Sequence, residues 1–479
     1  MSGWRDTAWT QPAKPYAIAH RGASAYAPDC SLEAYQKASR LGADMWEVDI
    51  RRAKCGTLIT YHDRTLPDGT GIADLTAVEI AELAVQHDVP AVPFAEVVAL
   101  AVQLGAGIYA DIKDTAASVP VMEMIRDAGI EKAVLGAFDP DAAAILRRAG
   151  SPYPSSALVP LGADPFEHAK GADVIHLCWE RMERPQDMLD AAFFAKVAEI
   201  GLLVVLWHEE DPARMAALRD LPILGICSDR PELVHPWKAP AVWDVQIVAH
   251  RGGTEFAPEN TLEAAQCAFA AGFDFVELDV RQAMDGQIVL HDATLERTTN
   301  GSGLVKEMSA SALAALDAGS WYTPHFNDQH PPLLSEMLKI ARLYQSQLYI
   351  ELKDAEPEDV LNTVALFFDL ESCFFWSENI NLLGKLRGRS PAAKIMLRVQ
   401  DFPSVADLLA RKPDIVEVTL NELTAPLLAT LRDAGAKVMV AYMGCDENTF
   451  DSIIEMRPDM VNLHFPFQFR THLAKRGLV

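Results

Sequence analysis

Two rhythms of apolar and polar positions alternate along this chain. Short apolar runs such as YAIAH, MWEVDI, GIYADI, KAVLGAF and LLVVLW have the length and composition of buried strands. Between them lie segments of helical spacing such as SLEAYQKASRLG, opened by Ser and closed by Gly, the residues that cap helix ends. The second half repeats the alternation with QIVAH, FVELDV, LYIEL, KIMLRV, IVEVTL and KVMVAY, and with the helical segment TLEAAQCAFAAG. The most apolar long stretch, from Val89 to Ala110, is interrupted by Glu96 and Gln103. It therefore reads as a helix followed by a strand, with no membrane span. Strand–helix alternation sustained over each half predicts an α/β fold of two tandem (β/α)8 TIM-type barrels. A doubly wound open sheet is the alternative, but no G-x-G-x-x-G turn follows the first strand.

The two halves are copies of one another. His20 recurs as His250 and Glu47 as Glu277, 230 residues on in both cases. TYHDRTL around His62 returns as VLHDATL around His291, and YADIK around Asp111 returns as YIELK around Glu351. Four motifs in the same order define a repeat. The Pro-punctuated stretch from Pro231 to Gln246 separates the copies, giving expected domains of 1–238 and 239–479.

Composition narrows the partners. The net charge is -25, a field that repels polyanions and argues against nucleic acid or an anionic membrane surface. It leaves room for a small anionic substrate, because a bound divalent cation inverts the local potential. The seven cysteines are scattered without a C-x-x-C pair, as reduced thiols are. The N-terminus lacks a basic region followed by an apolar one, so a cytoplasmic location is expected.

Charged residues gather at the C-terminal ends of the apolar strands, the face where barrel enzymes keep their chemistry. Glu277 and Asp279 stand two apart on FVELDV and emerge on one side of the strand, and Glu351 and Lys353 do the same on YIELK. Buried carboxylates held together call for a positive partner, and a hard divalent cation, Mg²⁺ or Ca²⁺, suits carboxylate oxygen. His250 and His291 each close a strand. Imidazole titrates where a phosphodiester hydrolase needs one group to take a proton and another to give one. Arg251 and Lys353 supply positive charge for non-bridging phosphate oxygens.

These residues carry a family resemblance. HRG (His250–Gly252), APEN (Ala257–Asn260), ELDV (Glu277–Val280), HDATLERTTNGSG (His291–Gly303), GSWYTPHF (Gly319–Phe326) and ELK (Glu351–Lys353) resemble the glycerophosphodiester phosphodiesterases. The resemblance implies that Glu277, Asp279 and Glu351 hold the metal. It also implies that His250 and His291 form the acid–base pair, Arg251 and Lys353 bind phosphate, and Glu259 lines the site. We assign the base to His250 and the acid to His291. The first copy keeps the matching set: His20, Arg21, Glu47, Asp49, His62, Asp111 and Lys113. It departs at PDC (Pro28–Cys30) in place of PEN, at Asp111 in place of Glu, and in lacking GSWYTPHF. Conversely, SDRP (Ser228–Pro231) resembles the family's closing TDxP, where the second copy has NLHFP (Asn462–Pro466). Trp207 on the penultimate strand suits the family better than Tyr442, which is read as its counterpart. Together with Trp321 these count as substrate-lining candidates.

The expected activity is metal-dependent hydrolysis of glycerophosphodiesters or similar small diesters to a phosphomonoester and an alcohol, mainly in the second copy. Sphingomyelinase-D-like cleavage is one alternative, since an Asp at the third-ligand position occurs in those related enzymes. A non-catalytic phosphate- or sugar-binding module is another, although binding alone needs no pair of proton-transfer groups. Enolase-like metal chemistry fits the paired histidines less well. Trp321, Tyr322, His325 and Phe326 either wall off an alcohol such as choline or simply pack their own loop.

Overall fold

The computed structural model describes residues 3–178, 185–237 and 243–478. The chain divides into two compact units, Met1–His235 and Pro236–Val479; the expected boundary at 238/239 lies outside the described residues. Among the described residues, the first unit closes eight parallel strands into a barrel: Tyr16–Ala19, Met45–Arg52, Gly107–Ile112, Ala133–Ala137, Ser155–Val159, Val174–Cys178, Leu203–Trp207 and Gly225–Ser228. Closure comes from the first strand, which pairs with the last through Ala19 and Ser228 and with the second through Ala19 and Trp46. The second unit repeats the arrangement with Gln246–Ala249, Phe275–Gln282, Gln347–Leu352, Cys373–Trp376, Lys394–Arg398, Ile415–Val418, Lys437–Tyr442 and Met460–Leu463. Short antiparallel strands, Leu58–Thr60 and Gln287–Val289, extend each sheet beside the second barrel strand. The stretch from Val89 onward forms the helix Phe94–Leu104 and the strand Gly107–Ile112. Among the described residues no helix is long and apolar enough to cross a membrane.

The turn after the first strand shows how local sequence sets the site. In each unit a helix follows it, Leu32–Arg40 or Leu262–Ala270, capped by Ser31 or Thr261 through a bond from the main chain three residues on. Gly22 and Gly252 adopt φ of +87° and +88°, and a Cβ at Gly252 would lie 2.8 Å from the Ala264 Cβ. A left-handed backbone and close helix approach thus both require glycine. Gly252→Ala is expected to destabilise the second unit by about 2–5 kcal/mol, combining the left-handed penalty with overpacking. Urea melts followed by circular dichroism measure it; an unchanged midpoint would show that the helix yields freely.

Candidate active sites

The second strand of each barrel places two carboxylates at its C-terminal end, and the third barrel strand adds one. Asp279 pairs in register with Glu351, and Asp49 with Asp111. Ligand oxygens of Glu277, Asp279 and Glu351 lie within 4.8 Å of one another, as do those of Glu47, Asp49 and Asp111, and all six residues are buried. Burial, then the charge of Asp49, pushes the Glu47 carboxyl up to about 8. Burial likewise pushes Asp111 up to about 6 and Glu351 up to about 7, and it raises Glu277. Asp49 goes the other way: burial opposes ionisation, but Lys113 and Arg21 outweigh it. The Glu277 Oε1 and Asp111 Oδ1 atoms are buried without a hydrogen-bond partner. Hard oxygen donors left orphaned inside an acidic triad are what a divalent cation would satisfy, so both clusters fit one.

The cations expected beside each cluster are in place. Lys353 Nζ lies 3.1 Å from Asp279 and also contacts Glu351, and Arg251 Nε lies 3.4 Å from Asp279. In the first unit Lys113 Nζ lies 2.6 Å from Asp49 and contacts Asp111, with Arg21 Nε at 3.2 Å from Asp49. Both arginines sit in the left-handed region, φ 55° for Arg21 and 53° for Arg251. Their main-chain N–H groups donate to Glu47 Oε2 at 2.9 Å and Glu277 Oε2 at 2.8 Å. That bond ties the histidine turn to the carboxylate strand.

His62 and His291 stand at the barrel mouths, each with Nδ1 on the next residue's carboxylate: Asp63 at 2.8 Å and Asp292 at 2.6 Å. In the second unit Arg297 braces this pair. It bonds Asp292 Oδ2 at 2.5 Å and Glu259 Oε2 at 3.0 Å, while Arg251 reaches Glu259 at 2.9 Å. Glu259 is therefore held between two guanidinium groups. Asn260 completes the frame, donating to Asp279 Oδ2 at 2.7 Å, whereas Cys30 offers the equivalent Asp49 only a sulfur contact at 3.7 Å. Trp321 is 42% exposed, its indole N–H donating to Ala318 O at 2.8 Å.

The surroundings of His20 and His250 differ. His20 Nδ1 bonds Asp229 Oδ1 at 2.8 Å, and the Trp207 indole N–H donates to His20 Nε2 at 3.0 Å. Burial lowers His20, but Asp229 and Glu47 outweigh it and leave the group raised. An indole N–H only donates, so the Trp207 bond requires a bare Nε2 and favours the neutral ring more than the charges alone indicate. Burial, with Arg251 and His464, instead lowers His250. The expected equivalence of Trp207 and Tyr442 is corrected by the strand register. Gly225 and Met460 pair with the equivalent residues Tyr16 and Gln246, and they pair in turn with Val205 and Met439. Trp207 therefore matches Ala441, and Tyr442 matches His208. Tyr442 packs against Phe450 with ring centroids 5.8 Å apart, and its hydroxyl accepts from Asp446 N at 3.1 Å.

Sequence reading did not single out Asp63, Asp292, Asn260, Arg297, Asp229 or His464. All six lay inside motifs already quoted; for the first four, adjacency to His or to the carboxylates was the available signal. A third group, His208, Glu210 and Asp229, also has metal-ligand geometry. One oxygen of each carboxylate is committed: Glu210 Oε1 accepts from Ser228 and from Asp229 N, and Asp229 Oδ1 bonds Ser24 and His20. Glu210 Oε2 makes no hydrogen bond and lies 3.6 Å from the Arg230 guanidinium.

Two (β/α)8 barrels with a buried acidic cluster at the strand ends define a class of barrel that could hold a divalent cation there. Comparison with known proteins narrows it. The sequence profile described as the glycerophosphoryl diester phosphodiesterase family matches residues 20–233 and 250–438, most of the chain, and the chain belongs to that family. A glycerophosphodiester phosphodiesterase of Caldanaerobacter subterraneus subsp. tengcongensis is 38% identical over 108 residues, 22% of this chain and 44% of that one. The chain spans about two fifths of the length of two curated relatives it matches. Among solved structures, a glycerophosphodiester phosphodiesterase from Agrobacterium tumefaciens is 34% identical with a TM-score of 0.44, over 47% of this chain and 99% of that one. An Oleispira antarctica phosphodiesterase, solved with the product sn-glycerol-3-phosphate, is 26% identical with a TM-score of 0.45, over 48% of this chain and 96% of that one.

Proposed function

We propose that this chain hydrolyses glycerophosphodiesters or similar small phosphodiesters to a phosphomonoester and an alcohol, mainly in its second unit. The observation that carries the reading is the buried triad of Glu277, Asp279 and Glu351, with an orphaned Glu277 oxygen and Lys353 alongside. A divalent cation held there, Mg²⁺ or Ca²⁺, would offset the carboxylates and draw charge from a phosphate oxygen. Arg251 and Lys353 neutralise the remaining non-bridging oxygens. His250 takes the proton of the attacking hydroxyl, which comes from water or from an alcohol neighbouring the phosphate. In the second case the P–O bond closes a cyclic phosphate that water then opens. His291, oriented by Asp292, returns a proton to the leaving alkoxide.

Preference for the second unit is supported by Asn260 on Asp279 and by the Arg297 brace, neither of which has an equal among the described residues of the first. The first unit is read as a second site of different preference or as a partner that has lost activity. The seven free cysteines agree with a reducing, cytoplasmic setting. The test is a panel of glycerophosphodiesters assayed with Mg²⁺, Ca²⁺ or Mn²⁺. His291→Asn is expected to lower turnover by about 100- to 10,000-fold, and His62→Asn to lower it little. The reverse order would move the main site to the first unit, and no hydrolysis by the intact chain would favour a binding module.

A further inference from the structure

The residue behind His250 differs in chemistry from the one behind His20, and it lies beyond the residues that the family profile matches. Register fixes the correspondence. Ser228 pairs with Ala19 and Leu463 with Ala249, so the next residues, Asp229 and His464, are equivalent. In the first unit Ser24 Oγ donates to Asp229 Oδ1 at 2.6 Å, and His20 Nδ1 bonds the same oxygen at 2.8 Å. In the second, Thr254 stands at the position of Ser24 and its hydroxyl lies 2.8 Å from His464 Nε2. His464 Nδ1 faces His250 Nδ1 at 3.2 Å, the rings tilted with centroids 5.4 Å apart. A three-member chain of hydroxyl, acceptor and histidine is thus kept, with imidazole in place of carboxylate.

Two facing ring nitrogens share one hydrogen, so one Nδ1 donates and the other accepts. A carboxylate settles the direction for His20, and the Trp207 indole on Nε2 agrees with it. His250 has no indole on Nε2, because Ala441 stands where Trp207 does. Its Nε2 lies 3.9 Å from Glu277 Oε2, at the edge of the acidic cluster. The Thr254 hydroxyl both donates and accepts, so it can close the chain in either direction. We infer that His464 is a positioning residue for His250. It accepts the Nδ1 hydrogen, gives its own Nε2 hydrogen to Thr254, and leaves the His250 Nε2 lone pair turned toward the acidic cluster. This keeps in the second unit the ring tautomer that Asp229 imposes in the first. The inference rests on the reading of the second unit as the principal catalyst.

The experiment uses the full chain in a Glu47→Gln background, which disables the first acidic cluster, with a glycerophosphodiester and Mg²⁺. His464→Phe keeps a ring of similar size without an acceptor. It is expected to lower kcat by about 10- to 100-fold, the usual effect of losing a residue that orients a site group, with KM within about twofold. His464→Asp restores an acceptor and is expected to recover kcat to within about threefold of the background. Long-range ¹H–¹⁵N spectra of the histidine rings give a readout independent of turnover. His250 is expected as the Nδ1–H tautomer in the background and to lose that preference in His464→Phe. Unchanged kcat in His464→Phe, or His464→Asp as slow as His464→Phe when both melt like the parent, would overturn the inference. If His464→Phe does not fold, Thr254→Val replaces it, with an expected loss of about fivefold for a neutral hydrogen bond; no loss overturns the inference. Absence of activity already in the Glu47→Gln background would instead sink the reading of the second unit.

Discussion

Glu277→Gln is expected to lower diester hydrolysis by about 100- to 1,000-fold, the scale of losing one preorganised electrostatic partner, while making the metal-free protein more stable. The two effects share one cause. Glu277 is 1% exposed, its ionisation is opposed by burial and by Asp279 and Glu351, and its Oε1 has no hydrogen-bond partner. Glutamine keeps the shape and still offers an oxygen to the Arg251 main-chain N–H, so the turn stays tied to the strand. What it removes is a negative ligand. Without metal, relieving one unsatisfied buried carboxylate is worth about 1–3 kcal/mol, or roughly 2–10 °C in Tm for a unit of this size. With saturating Mg²⁺ the order should reverse, because only the wild type gains from the ion. Calorimetry with and without metal, beside the activity assay, measures both. Retention of full activity would mean that the triad does not hold the working ion, and a lower metal-free Tm would mean that Glu277 is satisfied by something else.

Removing divalent metal should also make stability fall as pH rises, the reverse of the usual carboxylate behaviour. Glu47 is pushed up to about 8, Glu351 to about 7 and Asp111 to about 6, burial being the first cause in each, and Glu277 shifts the same way. A carboxyl whose folded pKa lies above its unfolded value holds its proton more tightly when folded. Its stabilising effect is present at low pH and is lost as pH climbs through the folded pKa. The window therefore runs from about pH 5 to about pH 8. Across it the chelated protein should lose roughly 5–10 °C in Tm. Added Mg²⁺ or Ca²⁺ competes with those protons, so the rise in Tm on adding metal should be larger at pH 8 than at pH 5. A Tm in EDTA that is flat or rising over this range would show that the clusters are neutralised by Lys113, Lys353 and the arginines alone.

Much of this was legible in the chain because barrel strands carry their chemistry at fixed places. Glu277 and Asp279 two apart on one strand, and Glu351 two before Lys353, give the acidic clusters from spacing alone. Repetition of four motifs in one order gives the two barrels. Contacts made only at barrel closure were not legible. Asp229 reaches His20 across 209 residues and His464 reaches His250 across 214, and no local pattern announces such pairs. The Tyr442 equivalence failed for a different reason. LLVVLW and KVMVAY look alike when slid by one residue, but a one-residue slip on a strand turns every side chain to the opposite face. Pairing to neighbouring strands decides it, and that is a property of the closed sheet.

The hydrogen bond from the main chain of Arg21 or Arg251 to its glutamate also bears on how the two copies can drift apart. A link made by backbone N–H does not depend on which side chain stands there, provided the left-handed turn is kept. Links made by side chains have no such protection. The amide grip of Asn260 has become a sulfur contact at Cys30, and the acceptor behind the first-strand histidine is Asp in one copy and His in the other. Substitutions between the copies should therefore collect where side chains brace the site and be scarce where the main chain does. A duplicated barrel built this way can vary its proton chemistry while its acidic frame stays put.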